Sequence, residues 1–310
     1  MKKYIAKRLL LLIPTILGVI IIVFSIIYIT PGDPGRNALG ITATQEQVDE
    51  FNHRLGYDRP YLERLSDYII KAVQGDFGVS YKTSKPVFDQ IYERLPVTVV
   101  LAILAVLTSL IIGMPIGVLS AVKQYSAADI ISTVTAMMLA AIPEFWLGLM
   151  LMLLFGIKLN ILPIIGAETF ANFILPVITL ALPTSAVILR LTRATMLETI
   201  NQDYIRTARS KGAKERTIIF KHALKNALLP IITVVGNYFG GLLGGTIMIE
   251  IIFNMPGLGM LIYNSIKAKD VPQVMATVIF LSILFSIIML VVDIVQSFVD
   301  PRIKSRYMKM

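Results

Sequence analysis

The chain contains no cysteine and only two histidines, His53 and His222, among its 310 residues. Without cysteine there is no disulfide, no thiolate metal ligand and no catalytic thiol. The two histidines fall on opposite sides of the membrane in the topology derived below, so a metal cage built on histidine is not expected. We therefore predict no metal site, no cofactor site and no catalytic residue in this chain.

Charged residues are also scarce, at 16% of the sequence, whereas 55% of the residues are hydrophobic. A typical soluble domain has about 25% charged residues. Five apolar stretches contain no Asp, Glu, Lys or Arg: 9–32, 95–122, 169–189, 226–249 and 271–292. A sixth stretch, 130–157, is interrupted only by Glu144. Each stretch can cross a bilayer as a helix, and none shows the alternation of a barrel strand. The sequence predicts an all-α membrane protein with six transmembrane helices.

The distribution of Lys and Arg predicts the orientation of these helices. With the N-terminus inside, the inside segments carry 18 basic residues and the short outside segments carry three. The long segment 33–94 is left out, because long loops translocate largely regardless of charge. Both termini are therefore predicted to be cytoplasmic, and the first apolar run, too long for a signal peptide, is predicted to be retained. The net charge of +9 fits this inside bias, and no nucleic-acid binding is predicted.

This topology divides the chain into three parts. Residues 1–32 form the cytoplasmic N-terminus and first transmembrane helix, 33–94 form an extracytoplasmic cap, and 95–310 form a five-helix core. The cap carries helix start and stop signals at Thr44 with Gln47, Gly56, Pro60, Gly75 and Pro86. It is interpreted either as a lid over the helix ends or as a docking surface for a solute-carrying partner.

The inside segment 190–225 is long, strongly basic and patterned. Asp203 is predicted to cap a short helix, and Gly212 to end it in a left-handed conformation. A second helix, 214–225, then leads into the fifth span. A short helix held between two spans would suit the transmission of a push from a cytoplasmic partner. The alternative is a basic face solvated near anionic lipid headgroups.

The string DYIRTARSKG at 203–212, followed by HALKNALLP, resembles the coupling loop of bacterial ABC importer permeases. It is similar to the branch that carries dipeptides, oligopeptides and nickel chelates, in which Arg206-Thr207-Ala208 stands in place of the general Glu-Ala-Ala triplet. Met289 departs from the Asn that the family would place there. Further matching motifs are TPGDP at 30–34, GDFGVSY at 75–81, PVFDQIYERLPVT at 86–98, AIPEFW at 141–146, ILP at 161–163, EIIFNMPGLG at 250–259 and DPR at 300–302.

This resemblance implies a type I importer permease fold in a bacterial or archaeal cytoplasmic membrane. It also implies three kinds of partner: a second homologous permease, two ATPases that hold ATP and magnesium, and an extracytoplasmic binding protein. The chain has no Gly-Lys dipeptide and hence no phosphate-binding loop of its own, so it is predicted to be a non-catalytic subunit. The implied ATPase-coupling residues are Asp203, Tyr204, Arg206, Ala208, Lys211 and Gly212. Peptides are the expected substrate, with nickel or metal chelates as the alternative.

Glu144 is predicted to lie in the middle of the third span, beside a kink at Pro143. It could line the pathway and attract a cationic amino terminus, or pair with a neighbouring helix. Gly240 and Gly244 could line the pathway, pack helices or contact a second permease, as could the similarly spaced Gly113 and Gly117. Glu250 and Asp293 lie at the ends of their apolar windows. Each is expected to cap a helix end or to reach towards water at the membrane boundary.

Two other classes of protein remain as alternatives. An ion-coupled secondary carrier would transport without ATP, but the spans hold few charges and the inside loop is large. A non-transport scaffold or enzyme would need a reactive constellation in the spans, and no nucleophile–base pair is visible there.

Overall fold

The structure is a computed structural model that describes residues 2–40 and 42–299. The DPR motif at 300–302 and the predicted cytoplasmic C-terminus lie outside these residues. Within them the chain is helical, apart from turns and one isolated bridge between Val79 and Pro86. The predicted all-α class is confirmed.

Five continuous helical segments are long and apolar enough to cross a membrane, and a bent pair of helices makes a sixth candidate. The five are Leu9–Ile29, Val87–Val122, Phe170–Ile200, Glu215–Gly244 and Val271–Gln296. The pair consists of Ala127–Ala141 and Glu144–Lys158, which meet at 98°. Pro143 lies at the break with an extended backbone (φ −62°, ψ 132°), because proline lacks an amide hydrogen and disfavours helical geometry in the residue before it.

The α-helices are numbered in chain order. They are α1 (Lys2–Ile29), α2 (Pro34–Leu39), α3 (Gln45–Arg54), α4 (Tyr61–Val73), α5 (Val87–Val122), α6 (Ala127–Ala141), α7 (Glu144–Leu151), α8 (Phe170–Ile200), α9 (Asp203–Ser210), α10 (Glu215–Thr217), α11 (Leu224–Gly245), α12 (Ile247–Ile252), α13 (Leu258–Lys267) and α14 (Val271–Val299). Two π-helical turns, Met152–Lys158 and Ile218–Ala223, follow α7 and α10.

The chain divides into two compact units. Among the described residues, the core unit comprises 99–255 and 288–299, and the cap unit comprises 2–98 and 256–287. In the cap unit the predicted helix signals are confirmed. Thr44 and Gln47 form a reciprocal capping box at the start of α3, α4 begins directly after Pro60, and α5 begins directly after Pro86.

In the core unit, α8 is the most buried span, and glycines let α5 approach it closely. A Cβ added to Gly113 would lie 2.5 Å from the Ser185 carbonyl oxygen, and one added to Gly117 would lie 2.7 Å from that of Leu189. A backbone atom cannot move aside as a side chain can. The predicted close packing at these four-residue-spaced glycines is therefore confirmed.

The expectation that Glu250 and Asp293 reach towards water is wrong. Glu250 is fully buried, and its carboxylate accepts a hydrogen bond of 3.0 Å from the Thr246 hydroxyl. Asp293 is only 9% exposed. The short helix α12 turns Glu250 into the protein after α11 ends, which the charge-free window alone could not indicate.

Candidate coupling site

Helix α9 stands between α8 and α10, at the centre of the basic segment. Gln202 occupies its N-cap position with an extended backbone and without a side-chain hydrogen bond. The predicted capping role of Asp203 is therefore wrong, because Asp203 is the first residue of the helix. Its carboxylate still lies at the positive end of the helix dipole, 3.9 Å from the Arg206 guanidinium.

The C-terminus of α9 is closed by a Schellman motif centred on Gly212. The amide of Ala213 donates to the Ala208 carbonyl at 3.1 Å, and the amide of Gly212 donates to the Arg209 carbonyl at 2.9 Å. Gly212 has φ +79°, the left-handed conformation that this motif requires. The prediction for Gly212 is confirmed, and the motif gives Ala208 a definite backbone role.

Ile205 anchors α9 to the core unit. Its side chain is fully buried, whereas most of its helical neighbours are exposed. Tyr204 adds a polar contact, since its hydroxyl accepts a hydrogen bond of 2.7 Å from the Asn226 side-chain amide. The helix is thus fixed along one face, to the π-turn segment and the start of α11.

An ion pair closes the turn from the other side. Arg209 donates to both carboxylate oxygens of Glu215, at 2.7 Å and 3.3 Å. Hydrogen bonding to Glu215 raises the pKa of Arg209 above its ordinary value. The pair is solvent-exposed and therefore stabilises the fold modestly, but its bidentate geometry fixes the direction in which the chain leaves α9.

The remaining face of α9 is exposed and basic. Tyr204 is 45% exposed, and Arg206 and Lys211 are exposed as well. The structure therefore brings all six predicted coupling residues together, on one helix and its terminal turn. A short helix with a buried anchor and an exposed basic face has the form expected of a docking element.

An apolar cluster supports the helices that flank this site. It joins the end of α5, the end of α8 and the start of α11. Its buried members are Val118, Ala121, Met196, Ala223 and Ala227. The ends of the helices that flank α9 are therefore packed against one another.

The same unit contains a buried ion pair that the sequence did not indicate. Arg193 of α8 donates to both carboxylate oxygens of Asp129 in α6, at 2.6 Å and 2.9 Å. Ser120 and the Tyr125 amide also donate to this carboxylate. The Ser126-x-x-Asp129 spacing carried a capping signal for the start of α6, but 64 residues separate the two partners of the pair.

The predicted pathway residues lie in different surroundings. Glu144 is the first residue of α7, after the break at Pro143, and so lies midway along the bent pair of helices that makes the sixth candidate span. Its side chain is exposed, and Glu144 and Arg190 both lie close enough to the Tyr238 hydroxyl to interact with it electrostatically. Gly240 is buried, whereas Gly244 is exposed, with nothing within 4 Å of an added Cβ.

The part of the chain that the structure describes contains no group of three or more His, Cys, Asp or Glu residues able to hold a metal ion. The predicted coupling residues stand on a short helix that is held by a Schellman turn, one apolar anchor and two ion pairs.

Similar proteins share this architecture. A family described as "Binding-protein-dependent transport system inner membrane component" matches residues 113–305, and its N-terminal counterpart matches residues 1–102. Glutathione transport system permease protein GsiC from Escherichia coli (strain K12), like that from Shigella dysenteriae serotype 1 (strain Sd197), is 39% identical over 304 residues, covering 98% of this chain and 99% of the relative.

Solved structures confirm the fold. Two inward-facing structures of the MetNI methionine ABC transporter match with TM-scores of 0.57 and 0.58, at 20% and 22% identity, each covering 70% of this chain and 100% of theirs. The type I importer fold predicted from the resemblance is therefore confirmed. The chain belongs to the binding-protein-dependent transport system inner membrane components, and it is a non-catalytic, multi-pass permease subunit of an ABC importer, a family that works with partner ATPases and a binding protein.

Proposed function

We propose that this permease imports small peptides, and that α9 receives the force of ATP binding from two partner ATPases. The geometry of α9 carries the proposal. The buried side chain of Ile205 anchors the helix, a Schellman turn ends it, and its basic face is exposed. A second homologous permease completes the pathway, and an extracytoplasmic binding protein delivers the solute.

The mechanism is alternating access. ATP shifts the ATPase pair towards its closed state only because it binds that state more tightly. Closure moves α9, and the packed cluster beneath it passes the movement to α5, α8 and α11. The pathway then opens outward to receive solute. In this mechanism the permease performs no chemistry.

Charges near the break between α6 and α7 support a peptide substrate. Glu144 carries a carboxylate and Arg190 a guanidinium, both exposed, and both interact with Tyr238. A peptide with free termini carries one charge of each sign and complements this pair. The similarity to permeases for glutathione, itself a peptide, points in the same direction.

Replacing Glu144 by glutamine should weaken the uptake of peptides with a free amino terminus and leave N-acetylated peptides unaffected. The expected loss is about fivefold, corresponding to one partly screened charge interaction of about 1 kcal/mol. The measurement is ATP-driven uptake into proteoliposomes that contain the assembled transporter and its binding protein.

Glu168→Gln is the matched control, since Glu168 is exposed and lies outside this group. Equal losses for free and acetylated peptides would contradict the role of Glu144. Uptake of a nickel chelate but not of peptides would overturn the substrate class. Uptake driven by an ion gradient without ATP would overturn the importer mechanism for this chain.

The proposed orientation places the N-terminus in the cytoplasm and the extracytoplasmic cap, residues 33–94, outside. Because the chain has no cysteine, a single introduced cysteine reports its own side of the membrane. A membrane-impermeant maleimide added to intact cells should label Lys71→Cys in α4 and should label Lys214→Cys, before α10, only after the cells are opened. Both positions are exposed, so labelling of the two from the same side would contradict the topology.

A further inference from the structure

A groove of about 380 Å³ runs along the cap unit between the C-terminal half of α1 and the start of α14. Ile26 and Ile27 line it from α1, and Val274 and Val278 line it from α14. All four belong to segments long and apolar enough to cross a membrane. The apolar part of the groove is therefore lined by residues of two candidate membrane spans.

Two cations stand along the polar part of the groove. They are Arg64 of α4 and Lys269 of the turn between α13 and α14, and no carboxylate among the described residues lines the groove with them. Lys269 donates one hydrogen bond of 2.7 Å to the Pro31 carbonyl. An ammonium group has three donors, so two remain for a ligand.

Aromatic rings hold Arg64 in place. Its guanidinium carbon lies 4.1 Å from the ring centroid of Tyr57 and 5.6 Å from that of Tyr28. Burial raises the pKa of Tyr57, so the Tyr57 hydroxyl stays neutral and supplies no negative charge. Stacking of this kind orients the plane of a guanidinium and leaves its edge N–H groups available for a phosphate.

We propose that this groove binds one anionic phospholipid, with its phosphate between Arg64 and Lys269 and an acyl chain along α1 and α14. Basic residues at the end of an apolar groove between membrane helices complement both parts of such a lipid. A peptide substrate fits less well, because the groove offers no carboxylate for an amino terminus. The inference does not depend on which solute the permease carries.

The test is native mass spectrometry of the assembled transporter, delipidated in detergent and then supplied with phosphatidylglycerol or phosphatidylethanolamine. We expect one phosphatidylglycerol per copy of this chain, retained in preference to phosphatidylethanolamine. Arg64→Gln and Lys269→Gln should each lower the affinity about fivefold, as expected for one surface cation near an anionic lipid.

Matched controls are available for each cation. Arg59→Gln and Lys267→Gln remove equal charge from exposed residues that do not line the groove, and they should leave binding unchanged. Val278→Phe should also displace the lipid, because it fills the apolar part and keeps both cations. Monodispersity on gel filtration verifies that each variant is folded.

Three outcomes would overturn the proposal. The first is equal retention of phosphatidylglycerol by the Gln variants and their controls. The second is equal retention of the two lipids. The third is competition by inorganic phosphate together with unchanged binding in Val278→Phe, which would assign the cations to a free anion.

Discussion

Replacing Gly212 by valine should nearly abolish ATP-driven uptake while leaving membrane insertion intact. Gly212 has φ +79°, and nothing lies within 4 Å of an added Cβ, so the penalty is conformational rather than a clash. A residue with a side chain loses roughly 1–2 kcal/mol in this conformation, and a β-branched residue loses the most. The Schellman turn should then open, and the population of correctly placed α9 should fall about 5- to 30-fold.

The measurement is uptake together with co-purification of the ATPases, at matched abundance in the membrane. Gly212→Asn is the control, because asparagine tolerates the left-handed region better than other non-glycine residues. It should retain most of the uptake. Normal uptake and normal co-purification in Gly212→Val would show that the segment is only a solvated basic loop.

Removing the Asp129 carboxylate should destabilise the core unit more than any surface change. Asp129 is 3% exposed and accepts hydrogen bonds from Arg193, Ser120 and the Tyr125 amide. Asp129→Ala leaves the Arg193 charge without its buried partner, a loss of about 3–5 kcal/mol. We expect a marked fall in the melting temperature of the detergent-purified protein.

The double variant Asp129→Leu with Arg193→Met separates the two contributions to this loss. An apolar pair of similar volume leaves no charge stranded, so it should recover much of the lost stability. Asp58→Ala is the surface control, since Asp58 pairs with His53 in an exposed contact. An unchanged melting temperature in Asp129→Ala would contradict the structural role of the pair.

Local patterns in the sequence predicted the local structure well. Apolar windows located the spans, the spacing of Thr44 and Gln47 located α3, and Gly212 located the end of α9. Each of these features depends on residues close together in the chain, where helix propensity and capping act. The exposed face of α9 follows from the same local pattern.

Features that depend on residues far apart in the chain could not be predicted from the sequence. Asp129 and Arg193 look like two unrelated boundary charges until the fold brings α6 beside α8. Glu250 ends an apolar window and is nevertheless buried, because α12 changes direction after α11. Pro143 indicated a kink, but the packing of α6 and α7 had to decide that the bend reaches 98°.

The π-turn at Ile218–Ala223 holds one residue more than an α-turn and leads from α10 into α11. The buried residues along the π-turn and the start of α11 are spaced five and then four apart: Ile218, Ala223, Ala227 and Ile231. An α-helix advances about 100° per residue, and a π-turn holds one residue more than an α-turn. A permease that lacks the extra residue would complete an ordinary α-turn here, and the same face would stay buried on both sides of it. Alignments across this turn therefore compare different faces unless the extra residue is placed within it.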